Sequence, residues 1–366
     1  MIWQKKSAQA SEPDRSLVVA IWILVVFGLI MLASASSVVA YNQYQDGNYF
    51  IKHQLINYVI GLVVFLLLSR LDFQYFKKLG LPLFIFSIIL LLLVFVPGLA
   101  SGSRAQSWIN IFGFSLQPSE LVKLCFLIYL SALFANGRSA SEKTLPFFIT
   151  YGIIAFLMLL QPDLGTLIII TAVALSVYYT AGGRLKIILA FFALGLLSLL
   201  VLVSINPYQK NRFHCFIDPN FSPKEYCYQI NQSLIAVGSG GLIGRGIGMS
   251  RQKFLYLPEV QNDFIFGIIA EEIGFIFSSV LVLLYVFIFV KGYKTAYRIN
   301  DDFGRNLAIG IVVWLMVQAI VNIGGVINFM PMTGVPLPLV SYGGSAVLAN
   351  MAALGILVNI SKNTRH

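Results

Sequence analysis

The segment Leu17–Ala40 runs for 24 residues without a charge, and about 20 apolar residues suffice for a helix to cross a bilayer. Nine further segments read as spans, near 54–69, 79–99, 117–136, 146–161, 163–181, 185–205, 263–290, 304–328 and 341–361. The chain is 58% hydrophobic and only 11% charged, with a mean hydropathy of +0.83, whereas soluble domains carry about 25% charged residues. So little polar surface cannot cover such a chain in water. The expected fold is an all-α polytopic membrane protein of about ten transmembrane helices.

The net charge of +10 raises nucleic acid as a partner, but the distribution of cations argues against it. With the N-terminus inside, sixteen of the 25 Lys and Arg residues fall on the inner side and eight on the outer, with Lys123 inside a helix. Most of the outer eight share one long loop, where the positive-inside rule has least force. The charge is therefore mainly a topology signal, and membrane lipid is the surrounding partner. An even helix count puts both termini in the cytoplasm, with tails at 1–16 and 362–366 around one membrane domain at 17–361. The first span is too long for a signal-peptide core and lacks a small-residue cleavage site, so it reads as a retained anchor.

Two outer loops stand out. The first, near 100–116, is Gly/Ser-rich and holds Arg104 and Trp108. The second, 206–262, lies between helices seven and eight, and loops this long are usually functional. Short amphipathic helices are expected within it. The connection 329–340 carries Pro331, Pro336 and Pro338 and should be stiff and extended.

Ionisable groups at membrane depth are functional candidates by default. Glu120 and Lys123, three apart in Q-P-S-E-L-V-K, share a helix face and can pair, either to fix packing or to meet substrate. Pro118 suits a first helical turn, with Gln117 before it as a cap. Asp163 reads equally as an N-cap or a functional carboxylate. Asp263, where the long loop enters a helix, reads equally as a cap or as a general base beside Arg245, Arg251 and Lys253. Glu271 and Glu272 point about 80° and 180° away from Asp263 on that helix and suit helix packing. The Gly-rich stretch 238–248 fits neither G-x-G-x-x-G nor Walker A and reads as a turn between surface helices, with phosphate contact resting on Arg245 and Arg251 alone. His53, His214 and His366 are scattered, and no zinc spacing exists. No metal site is expected from residue pattern, and the sequence does not reveal whether a divalent cation takes part.

The stretches S-W-I-N-I-F-G-F-S-L-Q-P-S-E-L-V-K (107–123), Q-P-D-L-G-T (161–166), S-L-I-A-V-G-S-G-G-L-I-G-R-G-I-G (233–248), F-I-F-G-I-I-A-E-E-I-G (264–274) and P-L-P-L-V-S-Y-G-G-S (336–345) resemble, in this order, the SEDS family of bacterial peptidoglycan polymerases. The segment 250–259 and the tail 350–361 resemble its cell-division branch more than its elongation branch. The resemblance implies an inverting glycosyltransferase that joins lipid II units at the outer membrane face, with undecaprenyl pyrophosphate leaving, at the division septum. A lipid II flippase is the competing reading. The resemblance also implies a class B penicillin-binding protein and divisome membrane proteins as partners. It puts the essential carboxylate on Asp263 and the intramembrane pair on Glu120 and Lys123; the leaving pyrophosphate would need cations, for which Arg104, Arg245, Arg251 and Lys253 are the candidates on the same side. Gln117, Asp163 and Ser341 are supporting polar residues in the matching motifs. Three departures are visible: Asn262 stands for a usual Thr, Ser107 for a usual basic residue, and Ser-Pro-Lys-Glu-Tyr-Cys (222–227) for a usual Gly-rich segment. Cys215 and Cys227 bracket this last departure, twelve apart on the outer side, and are expected either to be bonded or to be two free thiols.

Overall fold

A computed structural model describes residues 12–96, 107–111, 114–135, 142–205 and 207–364. Ten helices lie at the ten expected spans: α1 (Arg15–Tyr44), α2 (Tyr49–Arg70), α4 (Gly80–Leu93), α5 (Pro118–Phe134), α6 (Thr144–Leu160), α7 (Leu164–Thr180), α8 (Leu185–Ile205), α11 (Ile265–Arg298), α12 (Asp302–Val326) and α13 (Gly344–Ser361). Three shorter ones are α3 (Gln74–Lys78), α9 (Pro207–Ile217) and α10 (Tyr228–Gly240). The last two occupy the long outer loop. By length and composition α1, α2, α11, α12 and α13 can each cross a membrane.

Local chemistry sets the helix starts. Asp14 caps α1 through the amides of Ser16 and Leu17, and Asp301 caps α12 at Gly304, each satisfying N–H groups that a helix start leaves open. Pro118 opens α5, where its missing N–H costs nothing. The interior is built from α5, α12 and α13. α13 is buried along nearly its whole length, which suits a helix apolar on every side. α2 instead turns Val59, Val63 and Leu67 outward, as a lipid-facing helix does. Polar pins cross the bundle: Asn359 donates to the Ser69 carbonyl at 2.8 Å and accepts from the Phe73 amide at 3.3 Å. Such inter-helix bonds in a membrane are worth about 0.6–2 kcal/mol each.

Two elements differ from expectation. The outer loop before α5 contains a hairpin of β1 (Ile109–Ile111) and β2 (Phe114–Leu116), paired antiparallel with Ile109 opposite Leu116. Its alternation of apolar and polar residues has the strand period but is only three residues long on each side. α11 runs beyond the expected end at 290 to Arg298 and is broken inside at Gly274 (φ 73°).

The break in α11 explains the Gly-rich stretch. The amides of Arg245 and Gly246 donate to the carbonyls of Glu271 and Glu272, and the amides of Phe275 and Ile276 donate to the carbonyls of Gly241 and Leu242. The loop thus takes up backbone groups freed where the helix breaks. A Cβ on Gly244 would lie 2.2 Å from the Glu272 oxygen, and one on Gly274 2.2 Å from the Gly244 nitrogen, so neither position admits a side chain.

Candidate active site

The starts of α5, α7, α11 and α13 converge at one end of the bundle. The Gln117 amide donates to Ser345 Oγ at 3.3 Å, joining α5 to α13. Ser119 Oγ donates to Asp163 Oδ2 at 2.9 Å, joining α5 to α7. The Tyr342 amide donates to the Gln261 carbonyl, and Ser341 Oγ to the Asn262 carbonyl at 2.6 Å, joining the approach to α13 with the approach to α11. Ser341 also receives the Leu337 amide at 2.8 Å. The proline-bearing connection 329–340 is non-helical and threads through this junction.

Asp263 sits at the centre. It does not cap α11: Phe264 holds the N-cap position, with no side-chain bond there. Its main-chain oxygen is held by Asn322 Nδ2 at 2.8 Å, and the same nitrogen holds the Val335 carbonyl at 2.8 Å. The carboxylate accepts no hydrogen bond among the described residues, and its Oδ2 lies where a Cβ on Gly334 (φ 75°) would come within 3.3 Å. Burial pushes its carboxyl up to about 6; the charge of Glu259 adds to the rise, Arg212 opposes it, and Asp163 adds a little more. Glu259 itself has a left-handed backbone (φ 53°) and accepts from Asn262 Nδ2 at 2.7 Å. Residues held in this sparsely populated region concentrate at functional sites.

Arg212 is the cation that sequence reasoning missed. It projects from α9, donates to the Met332 carbonyl at 3.0 Å, and lines a small cavity of about 90 Å³ with Phe216, Phe264, Asn328 and Met332. Of the cations expected near the carboxylate, Arg245 and Arg251 are exposed. Arg245 Nε lies 3.7 Å from Glu271 Oε1. Lys253 does not reach an open rim. Its side chain is 5% exposed, and its ammonium is bound by Glu272 Oε1 at 3.0 Å, the Gly248 carbonyl at 2.6 Å and Ser34 Oγ at 3.2 Å. Arg104 lies outside the described residues. Glu271 accepts from Ser250 Oγ at 2.5 Å and from the Arg251 amide at 3.0 Å. Both acidic residues therefore fasten the Gly-rich loop to α11.

Asp163 caps α7 through the Thr166 amide at 3.1 Å and also takes Ser119. Gln117 makes no side-chain cap of α5; its Nε2 reaches Asp163 Oδ2 at 3.4 Å instead. Deeper in the bundle, Lys123 Nζ meets Glu120 Oε1 at 2.8 Å and Gln318 Oε1 at 2.7 Å, above the Trp314 ring at 4.9 Å. Gln318 Nε2 donates to the Pro336 carbonyl at 2.9 Å. The buried pair is thus tied to the segment that supports Asp263. Cys215 and Cys227 are joined in a disulfide with Cα atoms 5.2 Å apart. No cluster of three or more metal-ligating side chains occurs among the described residues.

The chain is similar to known proteins in sequence and in shape. The chain is 37% identical to a probable peptidoglycan glycosyltransferase FtsW of Trichlorobacter lovleyi, covering 98% of this chain and 95% of that protein. It is 36% identical to the stage V sporulation protein E of Bacillus subtilis, covering 98% of this chain and all of that one. A solved chain from a peptidoglycan synthase complex that coordinates polymerization and crosslinking matches with a TM-score of 0.78 at 27% identity, over 95% of this chain and 97% of that chain. The rod shape determining protein RodA of Thermus thermophilus matches with a TM-score of 0.72 at 25% identity, over 97% and 98%. The cell cycle protein family of FtsW, RodA and SpoVE matches residues 15–366, and this multi-pass membrane protein belongs to that family.

Proposed function

We propose that the chain is a peptidoglycan glycosyltransferase that polymerises lipid II at the outer face of the cytoplasmic membrane. The observation that carries this reading is the Asp263 carboxylate: half-buried at the junction of four helix starts, free of hydrogen bonds from described residues, and raised to about 6. A base poised near the working pH is an effective proton acceptor. In the reaction, the 4-hydroxyl of the acceptor sugar attacks the anomeric carbon of the donor. Its proton passes to Asp263, the bond to the pyrophosphate oxygen breaks, undecaprenyl pyrophosphate leaves, and the anomeric centre inverts.

Charge develops on the leaving pyrophosphate and needs fixed cations. Arg212, Arg245 and Arg251 serve this role, aided by helix N-termini that favour anions. Lys253 acts indirectly, by holding the loop that carries the two outer arginines. That loop also exposes Leu242, Ile243, Ile247 and Met249. Apolar side chains beside arginines suit a substrate with a pyrophosphate head and a polyprenyl tail. A flippase would need an accessible polar path through the bilayer. Glu120 and Lys123 are instead buried and engaged with each other, which favours the enzyme.

Both termini are proposed to be cytoplasmic, since cations gather at that end. The septum, the divisome and a class B penicillin-binding protein partner are proposed from the division-branch relatives. The test is labelled lipid II with the purified chain and its class B partner, followed by gel separation of glycan. A ladder from wild type and none from Asp263→Ala supports the reading. Absence of glycan from the folded wild-type complex, together with lipid II translocation in vesicles, would replace it with transport.

A further inference from the structure

At the other end of α11 from Asp263 lies a cavity of about 420 Å³. It is walled by the start of α1, the last turns of α11 and the end of α13, with Glu12, Asp14, Arg15, Lys291, Lys294 and Arg298 in its lining. The walls are tied together by the Asp14 amide on Ser361 Oγ at 3.3 Å and by Lys291 Nζ on Asp14 Oδ2 at 3.4 Å.

Four cations and two carboxylates share the lining, and the carboxylates are already committed. Glu12 pairs with Arg15 at 2.5 Å. Asp14 caps α1 and meets Lys291. Lys294 and Arg298 stand four apart on α11, hence on one face, and neither makes a hydrogen bond or ion pair among the described residues. Positive charge at an inner helix end is expected for topology alone, but topology does not require a walled hollow. The uncharged run of α11 ends at Val290, so Lys291 to Arg298 stand at the level of lipid phosphates.

We propose that this cavity is a binding site for a phosphate group bearing net negative charge, held by Arg298, Lys294 and Lys291. A guanidinium fork and two ammonium groups are suited to phosphate oxygens, and basic pockets between transmembrane helices bind anionic headgroups. The group comes either from an anionic phospholipid or from a soluble phosphate ester. The site is independent of the glycosyl transfer reading, because it shares no residue with the Asp263 end.

The test is binding by the full chain in detergent, using short-chain phosphatidylglycerol, short-chain phosphatidylcholine and soluble glycerol phosphate. Wild type is expected to prefer phosphatidylglycerol over phosphatidylcholine. The double variant Lys294→Ala/Arg298→Ala removes two exposed side chains and should weaken that binding by about thirtyfold, from roughly one unit of surface charge attraction per cation. Arg305→Ala removes a cation that lies outside the cavity lining and is paired with Asp302 at 3.1 Å, and should leave that binding unchanged. Binding of phosphatidylglycerol alone assigns the phosphate to lipid, and equal binding of glycerol phosphate assigns it to a soluble ester. Wild type that binds neither anion, or a folded double variant that binds like wild type, overturns the proposal.

Discussion

Asn322 Nδ2 bridges the Asp263 and Val335 carbonyls, at 2.8 Å to each. One buried amide thus fixes the main chain at the carboxylate and, opposite it, the strand of backbone that includes Gly334. Replacing Asn322 with Leu keeps the volume and removes both bonds. The proposed base would then be misplaced, and displacement of about 1 Å can cost about 100-fold in rate. The expected result is a large loss of glycan formation in a protein that still folds, with thermal stability lowered by two lost bonds of about 0.6–2 kcal/mol each. A fully active Asn322→Leu protein would remove the positioning role.

Asp263→Asn should abolish polymerisation, because an amide cannot accept the proton. For wild type the rate should rise with pH through about 6 and then level off, since the base acts when deprotonated and its carboxyl lies at about 6. The sign for stability is opposite. The folded state holds this proton more tightly than the unfolded chain, whose Asp titrates near 3.9, so Asp263 lowers stability progressively as pH rises from about 4 to 6. Asp263→Asn should therefore raise the thermal midpoint at pH 7.5 more than at pH 4.5. An equal shift at both values would argue against a raised carboxyl.

Much of the site was legible because its chemistry is local. Glu120 and Lys123 announce their pairing by spacing, and Asp263 stands at a loop-to-helix boundary. Arg212 was missed because it meets the site through α9, some fifty residues earlier in the chain, and a loop cation gives no sign of where it folds. Gln318 and Asn322 gave little sign in sequence, because an uncharged amide in an apolar span carries no desolvation cost as large as that of an ionisable group. Two amides four apart in an apolar helix were the available signal. Lys253 looked like a rim cation because a sequence does not show that Glu272 will turn beneath it. The Gly-rich stretch had no visible meaning until the break at Gly274 supplied its partner.

The Glu120–Lys123 pair is 1% exposed on both side chains, and Glu120 Oε2 has no hydrogen-bond partner among the described residues. Removing one member of a buried pair leaves an uncompensated charge and typically costs about 3–5 kcal/mol. Glu120→Ala and Lys123→Ala should each lower abundance or thermal stability, and the double variant should recover part of the loss. Gln318→Ala should be milder, because Lys123 keeps Glu120. A double variant as damaged as both singles combined would give each residue a separate role.

The Cys215–Cys227 disulfide ties the end of α9 to the start of α10. Cys215 is three residues from Arg212 on α9, so the two share a helix face, and both line the small cavity beside Phe264. The crosslink therefore steadies the helix that presents Arg212. Closing a loop of this size contributes about 3 kcal/mol in the chain-entropy model. The double variant Cys215→Ser/Cys227→Ser should unfold at lower temperature and bind lipid II less tightly, with a larger effect on KM than on kcat. Cys125 is the internal control: it is a buried free thiol in α5, and denaturing alkylation should label it alone. Mass spectrometry of non-reduced peptides should recover 215 and 227 as one linked species. Alkylation of all three cysteines in protein isolated under oxidising conditions would refute the crosslink.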